Sequence, residues 1–127
     1  MPLTTIHFFR ADDGSVPMLD WLSELKLRNI KIYKKCLASL LRLKNEGHQL
    51  RRPTADLLRD GVYELRFSYL GVNYRILYGF AGKHLAVVSH GVTKERVLPA
   101  AEIDRAVERL AKYRSDPDKY GVEEEVL

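Results

Sequence analysis

Residues 61–94 constrain the fold more than any other part of this chain. They contain three runs with β propensity, separated by short turns that include glycine; the runs are Val62–Tyr69, Tyr74–Phe80 and His84–His90. In the first run, apolar and aromatic side chains alternate with mostly polar ones, which indicates a strand with one buried face. Because the connections are short, the three runs should pair in sequence order as an antiparallel meander.

The remaining sequence predicts one more strand and three helices. Residues 3–10 favour extended backbone, and Pro17 suits the first turn of a helix. A second helix is predicted from about Ile30 to Asn45, and a third begins at Pro99 with a regular apolar stripe. Residues 47–61 are predicted to be a loop, because their proline blocks regular strand pairing. The pattern indicates an α+β domain.

The predicted second helix lies in the most basic region of the chain. Between Lys26 and Arg52 there are nine basic residues and one acidic residue, Glu46. Such a region is typical of a solvated helix face, and also of a surface that holds RNA or an acidic partner. The apolar stripe of this helix is predicted to be Ile30, Tyr33, Leu37, Leu40 and Leu41. The RNA-binding candidates in the region are Lys31, Lys34, Lys35, Arg42, Arg51 and Arg52.

Charge is divided unevenly along the chain, whose net charge is +4. Residues 1–98 carry 16 Lys and Arg against 9 Asp and Glu, whereas residues 99–127 carry 5 against 8. A basic body favours a polyanionic partner, although many small basic domains bind no nucleic acid. At 127 residues the chain has the size of one domain. We predict that domain over residues 1–114, followed by a loose acidic tail over residues 115–127.

Several classes of site are excluded by what the sequence lacks. The single cysteine, Cys36, allows neither an internal disulfide nor a cysteine-based metal site. The four histidines have no metal-binding spacing, and there is no phosphate-binding loop, dinucleotide fingerprint or carboxylate cluster. We therefore expect no metal and no cofactor. Because no signal-peptide pattern and no apolar run of about 20 residues occurs, we expect a cytoplasmic protein without a membrane partner.

Three cations and one imidazole fall on or just after the predicted meander. Arg66 and Arg75 lie on the polar sides of two neighbouring strands, His90 ends the third strand, and Lys94 follows it. Cleavage of RNA by its own 2′-hydroxyl needs a base, an acid and cations that stabilise the phosphorane. Histidine transfers protons near neutral pH, and arginine binds phosphate through two hydrogen bonds. These four residues are the candidate catalytic set. The alternative is structural, with Glu64 between the two arginines and a histidine that only packs.

Taken together, four segments of the chain resemble the RelE/HigB superfamily of toxins from type II toxin–antitoxin modules, and most closely its phage-derived HigB-like branch. The segments are VYELRF, GVNYRILY, VVSHGVTKER and PAAEIDRAVERL, in that order. The resemblance implies a small curved antiparallel β-sheet with two N-terminal helices and one C-terminal helix packed on it. It also implies metal-independent cleavage of mRNA in the ribosomal A site, and neutralisation by a cognate antitoxin, often a helix-turn-helix repressor.

Site residues carry over from the resemblance position by position. Arg66 and Arg75 match basic residues on the two active-site strands. His90 and Lys94 match a histidine–lysine loop of the HigB-like branch. Arg96 matches a further loop cation that contacts RNA. The resemblance thus supports the candidate set that the chemistry suggested.

Two positions depart from the family pattern. Glu64 stands where RelE itself has a basic residue, and Leu98 with Pro99 occupies the region of its C-terminal catalytic tyrosine. These departures keep a second hypothesis open, a non-catalytic protein of the same fold that binds RNA or a protein partner. A DNA-binding regulator is a weaker alternative, because the sequence has no evident helix-turn-helix.

Overall fold

The computed structural model describes residues 3–93 and 97–127, which form an open sheet with helices on both faces. The strands are β1 (Thr5–Phe9), β2 (Ala55–Arg59), β3 (Val62–Tyr69), β4 (Val72–Phe80), β5 (Leu85–Thr93) and β6 (Gly121–Glu123). The helices are α1 (Pro17–Arg28), α2 (Ile30–Glu46), α3 (Ala100–Ser115) and the short α4 (Pro117–Tyr120), and one 3₁₀ turn spans Gly47–Gln49.

The six-stranded sheet has the order β2-β3-β4-β5-β1-β6 and is mostly antiparallel. The pairs β2–β3, β3–β4 and β4–β5 are antiparallel, which confirms the meander. However, β1 lies parallel to β5, so the prediction of an entirely antiparallel sheet is wrong at this pair. The connection from β1 into the rest of the sheet runs through α1 and α2, and a connection of that length allows parallel pairing. The fold class is α+β.

Residues 47–61 were predicted to be a loop, but they contain β2. The strand begins at Ala55, after Pro53, so the proline precedes the ladder and interrupts no pairing in it. The bulge between Leu57 and Arg59 also breaks the simple alternation that identifies a strand in sequence. The prediction failed because β2 is short and irregular.

The C-terminal segment 115–127 is not the loose tail that the sequence predicted, because it forms α4 and β6. The guanidinium of Arg10 donates hydrogen bonds to the carbonyls of Asp118, Lys119 and Gly121 over 2.8 to 3.3 Å. These carbonyls lie more than 100 residues from Arg10 in sequence, so no local sequence pattern predicts the contact. As a result, β6 adds to β1 as an antiparallel edge strand.

Two apolar clusters hold the layers together. The larger one fills the space between one face of the sheet and the helices α1 and α2, and it includes Trp21, Leu40 and Ile76. The smaller one joins α3 to the opposite face and includes Leu77 and Leu110. Within the described residues, no helix is long and apolar enough to cross a membrane.

The buried face of α2 differs from the predicted stripe. Ile30 and Leu41 were assigned to the core but are 45% and 46% exposed. The buried apolar residues are Ile32, Cys36, Leu40 and Leu43, which recur at intervals of four, four and three and so lie on one side of the helix. The predicted set mixed two sides of the helix. With the observed face buried, Lys31, Lys34 and Lys35 are exposed to solvent.

Candidate functional site

A strip of polar side chains occupies one face of β3 and β4, beyond the apolar cluster under α3. Arg66 pairs directly with Arg75 across the two strands, and Ser68 pairs with Asn73. Glu64 lies on the same face because side chains two residues apart on a strand point the same way. We call these five residues the polar strip: Glu64, Arg66, Ser68, Asn73 and Arg75.

Glu64 is a buried carboxylate held between the two arginines. It is 5% exposed, and its carboxylate oxygens lie 3.4 Å from Arg66 Nε and 3.3 Å from Arg75 Nε. The Arg–Glu contact that the sequence offered as the structural alternative is therefore present. One carboxylate offsets one of two guanidinium charges, so the three residues retain a net positive charge. The Arg66 side chain is 33% exposed and presents that charge to solvent.

A cleft of about 310 Å³ adjoins the exposed end of the polar strip. Arg66 Nε donates a hydrogen bond to the carbonyl of Pro53 over 3.1 Å, which fixes the side chain at the wall of the cleft. Hydroxyl and amide groups beside an arginine are suited to phosphate and ribose oxygens. The lining residues are Pro53, Thr54, Arg66, Phe67, Ser68 and Asn73.

His90 lies on the same face of the sheet but in a closed environment. It pairs with Leu77, is 6% exposed, and is held by residues on both sides. Its Nε2 lies 3.2 Å from Glu102 Oε1, and its Nδ1 lies 2.7 Å from Ser89 Oγ. This pattern assigns the proton to Nε2, which donates to the Glu102 carboxylate, while the Ser89 hydroxyl donates to Nδ1. We call Ser89, His90 and Glu102 the His90 cluster.

The protonation state of His90 follows from its surroundings. Burial, followed by the positive charge of Arg109, lowers the pKa of His90 to about 4, even though Glu102 favours the protonated form. The imidazole is therefore neutral at physiological pH. With both ring nitrogens hydrogen-bonded, it ties the first turn of α3 to the sheet. Proton exchange with a substrate requires this contact to open, so the catalytic role predicted for His90 stays a prediction.

The structure brings part of the predicted catalytic set together. Arg66, Arg75 and His90 share one face of the sheet, and Arg75 pairs with Val92, two residues after His90. Arg66 nevertheless lies in a partly open environment, with its side chain 33% exposed, whereas the side chains of Arg75 and His90 are only 11% and 8% exposed. Lys94 and Arg96 lie outside the described residues.

The lysines predicted to bind RNA lie away from the polar strip. Lys31, Lys34 and Lys35 are exposed on α2, which packs against the opposite face of the sheet. The ammonium of Lys35 lies 5.9 Å from the centre of the Tyr69 ring at the end of β3. A cation above an aromatic ring on an exposed helix is compatible with RNA binding, and also with simple packing.

The predicted arginines lie closer to the cleft. Arg42 pairs with Glu46 at 2.9 Å and donates to Thr54 Oγ1 over 3.0 Å, which connects α2 to the wall of the cleft. Arg51 and Arg52 are exposed just before β2. The basic residues thus extend from α2 around the β2 edge of the sheet, and the Arg42 side chain contacts Thr54 of the cleft beside Arg66.

Three residues of the site were missed in the sequence: Thr54, Ser68 and Asn73. The alternation that identified β3 places Ser68 on the face of Arg66, and the matching alternation of β4 places Asn73 on the face of Arg75. That signal was available for both residues. Thr54 was not identifiable, because it reaches the site only through the pairing of β2 with β3.

Comparison with known proteins supplies the family. The sequence model of the family described as "Phage derived protein Gp49-like (DUF891)" matches residues 20–111, which include the whole polar strip and the His90 cluster. A comparison with curated protein sequences finds no match. Among the described residues, no group of three or more His, Cys, Asp or Glu could hold a metal ion. Because the matched range spans most of the sequence, the chain belongs to the phage-derived Gp49-like family, which is part of the RelE/HigB-like toxin clan.

Proposed function

We propose that this protein is the toxin of a type II toxin–antitoxin module and that it cleaves mRNA on the translating ribosome without a metal. Membership of the Gp49-like family supports the toxin assignment. One observation carries the chemistry: Arg66 and Arg75 lie side by side around the buried Glu64, next to an open cleft. The helices on both faces of a small sheet also support a RelE-like fold.

In this proposal the Arg66 guanidinium binds the scissile phosphate from the cleft, and Arg75, whose side chain is 11% exposed and does not line the cleft, adds its positive charge behind it. Arginine stays charged at every physiological pH and matches phosphate oxygens with its planar fork of donors. The 2′-oxygen attacks phosphorus as its proton passes to water in the open cleft, the bond from phosphorus to the 5′-oxygen breaks, and that oxygen takes a proton from water. A cation already in position stabilises the negative charge of the phosphorane. Glu64 orients both guanidiniums before RNA binds. Lys94 remains a proposed further cation of the site.

We assign binding of ribosomal RNA to α2. The exposed Lys31, Lys34 and Lys35, together with Arg42, are proposed to contact ribosomal RNA through its phosphates, and Arg96 to add a further contact. Such contacts release counterions and weaken steeply as the salt concentration rises. The proposed partners are therefore mRNA, the ribosome and a cognate antitoxin of the helix-turn-helix type.

A second candidate function is RNA or protein binding without cleavage. Two observations favour it: Glu64 offsets one of the two arginine charges, and His90 is buried and neutral. A site that binds phosphate but has no exposed proton-transfer group can hold RNA without cutting it. The two functions differ in one measurable product, new mRNA 5′ ends.

The test is inducible expression followed by mapping of mRNA 5′ ends across the transcriptome. The variants are Arg66→Gln and a matched control, Arg28→Gln, which changes an exposed arginine in the last turn of α1. We expect cuts inside translated frames for the wild type and for Arg28→Gln. Arg66→Gln should reduce them by about 100-fold, the typical loss when one charge-stabilising donor is removed.

Two results would contradict the proposal in different ways. Normal growth and no new 5′ ends with the intact wild type would favour binding without cleavage. Undiminished cleavage by Arg66→Gln would show that the protein is a nuclease whose site lies elsewhere.

A further inference from the structure

The two edges of the sheet end in strands with different surroundings. At one edge, β6 covers β1, and the acidic segment that follows is fixed by a salt bridge of 3.5 Å between Glu124 and Lys44 of α2. The Glu124 side chain is only 6% exposed. At the other edge, β2 is the terminal strand among the described residues. The sheet therefore ends in β6, which an acidic extended segment fixed on α2 follows, and in β2 at the opposite edge.

The backbone of β2 is oriented to accept a further strand. The N–H of Arg66 donates to the carbonyl of Thr54 over 2.7 Å, which makes this a hydrogen-bonded pair. Alternation along an antiparallel ladder then directs the backbone groups of Asp56 toward β3 and those of Leu57 toward the open edge. The Leu57 residue is also 54% exposed, so its apolar side chain is accessible to a ligand. An edge with these properties is a template for strand addition.

A cleft of about 510 Å³ lies beside this edge, with an apolar floor and a positive rim. Leu50 and Tyr63 contribute to the floor, next to the exposed Leu57. At the rim, Arg51 donates to the carbonyls of His48 and Leu50, and no carboxylate in the described part of the chain forms a salt bridge with it. The charge of Arg51 is therefore available to a ligand.

Arg52 adds to the positive rim with only a loose partner. Its Nε lies 3.8 Å from Asp56 Oδ2, and its side chain is 76% exposed. A contact at that distance and exposure contributes little and is easily exchanged for a better one. The rim therefore offers two guanidiniums to a carboxylate-bearing ligand.

We propose that this cleft binds an extended acidic segment of a partner protein, which adds to β2 as a new edge strand. The partner backbone pairs with Leu57, an apolar side chain packs on Leu57 and Tyr63, and a carboxylate pairs with Arg51. Strand addition gains affinity from backbone hydrogen bonds and specificity from alternate side chains. RNA fits less well, because the outward backbone groups of β2 match the backbone of a peptide strand and not a phosphate chain. In this proposal Arg51 and Arg52, which the sequence offered as RNA-binding candidates, contact a protein partner.

The test follows backbone amide signals of the whole, isotopically labelled protein by NMR during titration with a short peptide of alternating glutamate and valine. We expect shifts confined to β2 and residues 48–52. The double variant Arg51→Glu/Arg52→Glu should weaken binding at least about tenfold, equivalent to about 1.4 kcal/mol. The single charge reversal Arg28→Glu, on α1 and away from the cleft, should leave affinity unchanged. A peptide of alternating lysine and valine serves as the control ligand.

Four results would overturn this inference. The first two are the absence of β2 amide shifts at millimolar peptide and equal binding of the lysine peptide. The other two are β2 amide shifts caused by a short RNA but not by the glutamate peptide, and β2 amide shifts that depend on protein concentration alone. The last would identify a second copy of the chain as the occupant. The inference does not rest on nuclease activity, so loss of mRNA cleavage with retained peptide binding would contradict only the proposed function.

Discussion

Two polar groups lie on the same face of the sheet and differ in what surrounds them. In the polar strip, Glu64 is buried but Arg66 reaches an open cleft. In the His90 cluster, both ring nitrogens are hydrogen-bonded and α3 covers the imidazole. Residues on the same face of a sheet therefore do not necessarily form one site. The first group has charge to offer a ligand, whereas the second uses its hydrogen bonds to hold a helix.

The largest expected effect on stability comes from breaking the charge pairing within the polar strip. Glu64→Gln leaves two neighbouring guanidiniums without the buried carboxylate between them. Removing one member of a buried charge group costs about 3–5 kcal/mol, and we expect the free energy of unfolding in urea to fall by that amount. The control is Asp56→Asn, whose carboxylate is 36% exposed and should contribute less than about 1 kcal/mol. Equal effects of the two substitutions would show that the buried ion pairs of Glu64 do not stabilise the polar strip more than a surface pair does.

The next largest effect is a pH dependence of stability that comes from the His90 cluster and not from the polar strip. Because the folded-state pKa of His90 is lowered to about 4, the unfolded chain binds a proton first as the pH falls. Stability from this group is therefore complete above pH about 6.5 and is lost as the pH falls toward about 4, by about 3 kcal/mol in total.

His90→Gln should remove this loss between those pH values, and unfolding free energies measured across the range will show it. The exposed His84 provides the matched control, and His84→Gln should keep the wild-type pH profile. Parallel profiles for the wild type and His90→Gln would mean that His90 is not buried as a neutral imidazole in solution.

A smaller effect is expected from the carboxylate that faces His90. Glu102→Gln keeps a hydrogen-bond acceptor but removes the charge that favours protonated His90 and binds Arg105. We expect a loss of about 1 kcal/mol in the free energy of unfolding and a further decrease of the His90 pKa in an NMR titration. Glu108→Gln, at an exposed position of the same helix, is the control. An increased His90 pKa in Glu102→Gln would contradict the described contact.

The smallest effect on stability is expected outside both groups. Lys34 is exposed on α2, so Lys34→Ala should change the free energy of unfolding by less than about 0.5 kcal/mol. If α2 contacts ribosomal RNA phosphates, the slope of log affinity against log salt concentration should decrease by about 0.7–0.9. An unchanged slope in a ribosome-binding assay would remove Lys34 from the RNA-binding surface.

The sequence predicted Glu64, Arg66 and Arg75 of the strip because strand alternation is a local signal, but Ser68 and Asn73 were missed. Arg66 and Arg75 were placed on one face from their positions in two runs joined by a short turn, and Glu64 was named as the carboxylate between them. The closed state of His90 was not predictable, because it depends on where α3 packs and on Glu102, twelve residues further along the chain. His90 was also predicted to end the third strand, but β5 continues to Thr93, and burial of a position within the strand is decided by the helix packed on it.

The remaining errors have the same origin in long-range contacts. β6 depends on Arg10 at the other end of the chain, and β2 depends on pairing with β3 across a bulge. In α2 the sequence offered apolar residues on more than one side, and packing against the sheet selected the side of Cys36 and Leu40. Periodicity gave the type of each longer element, but contacts between elements determined the edges of the sheet and the buried faces.

The central proposal is that the positive charge of the polar strip contributes more to RNA cleavage than the His90 cluster does. The most direct measurement is the rate of mRNA cleavage in a cell-free translation reaction at neutral pH, using purified wild type, Arg66→Gln and His90→Gln, each confirmed to be folded by circular dichroism. The account predicts a loss of about 100-fold for Arg66→Gln and a change of less than about tenfold for His90→Gln. Abolished cleavage by folded His90→Gln, with Arg66→Gln still active, would contradict it.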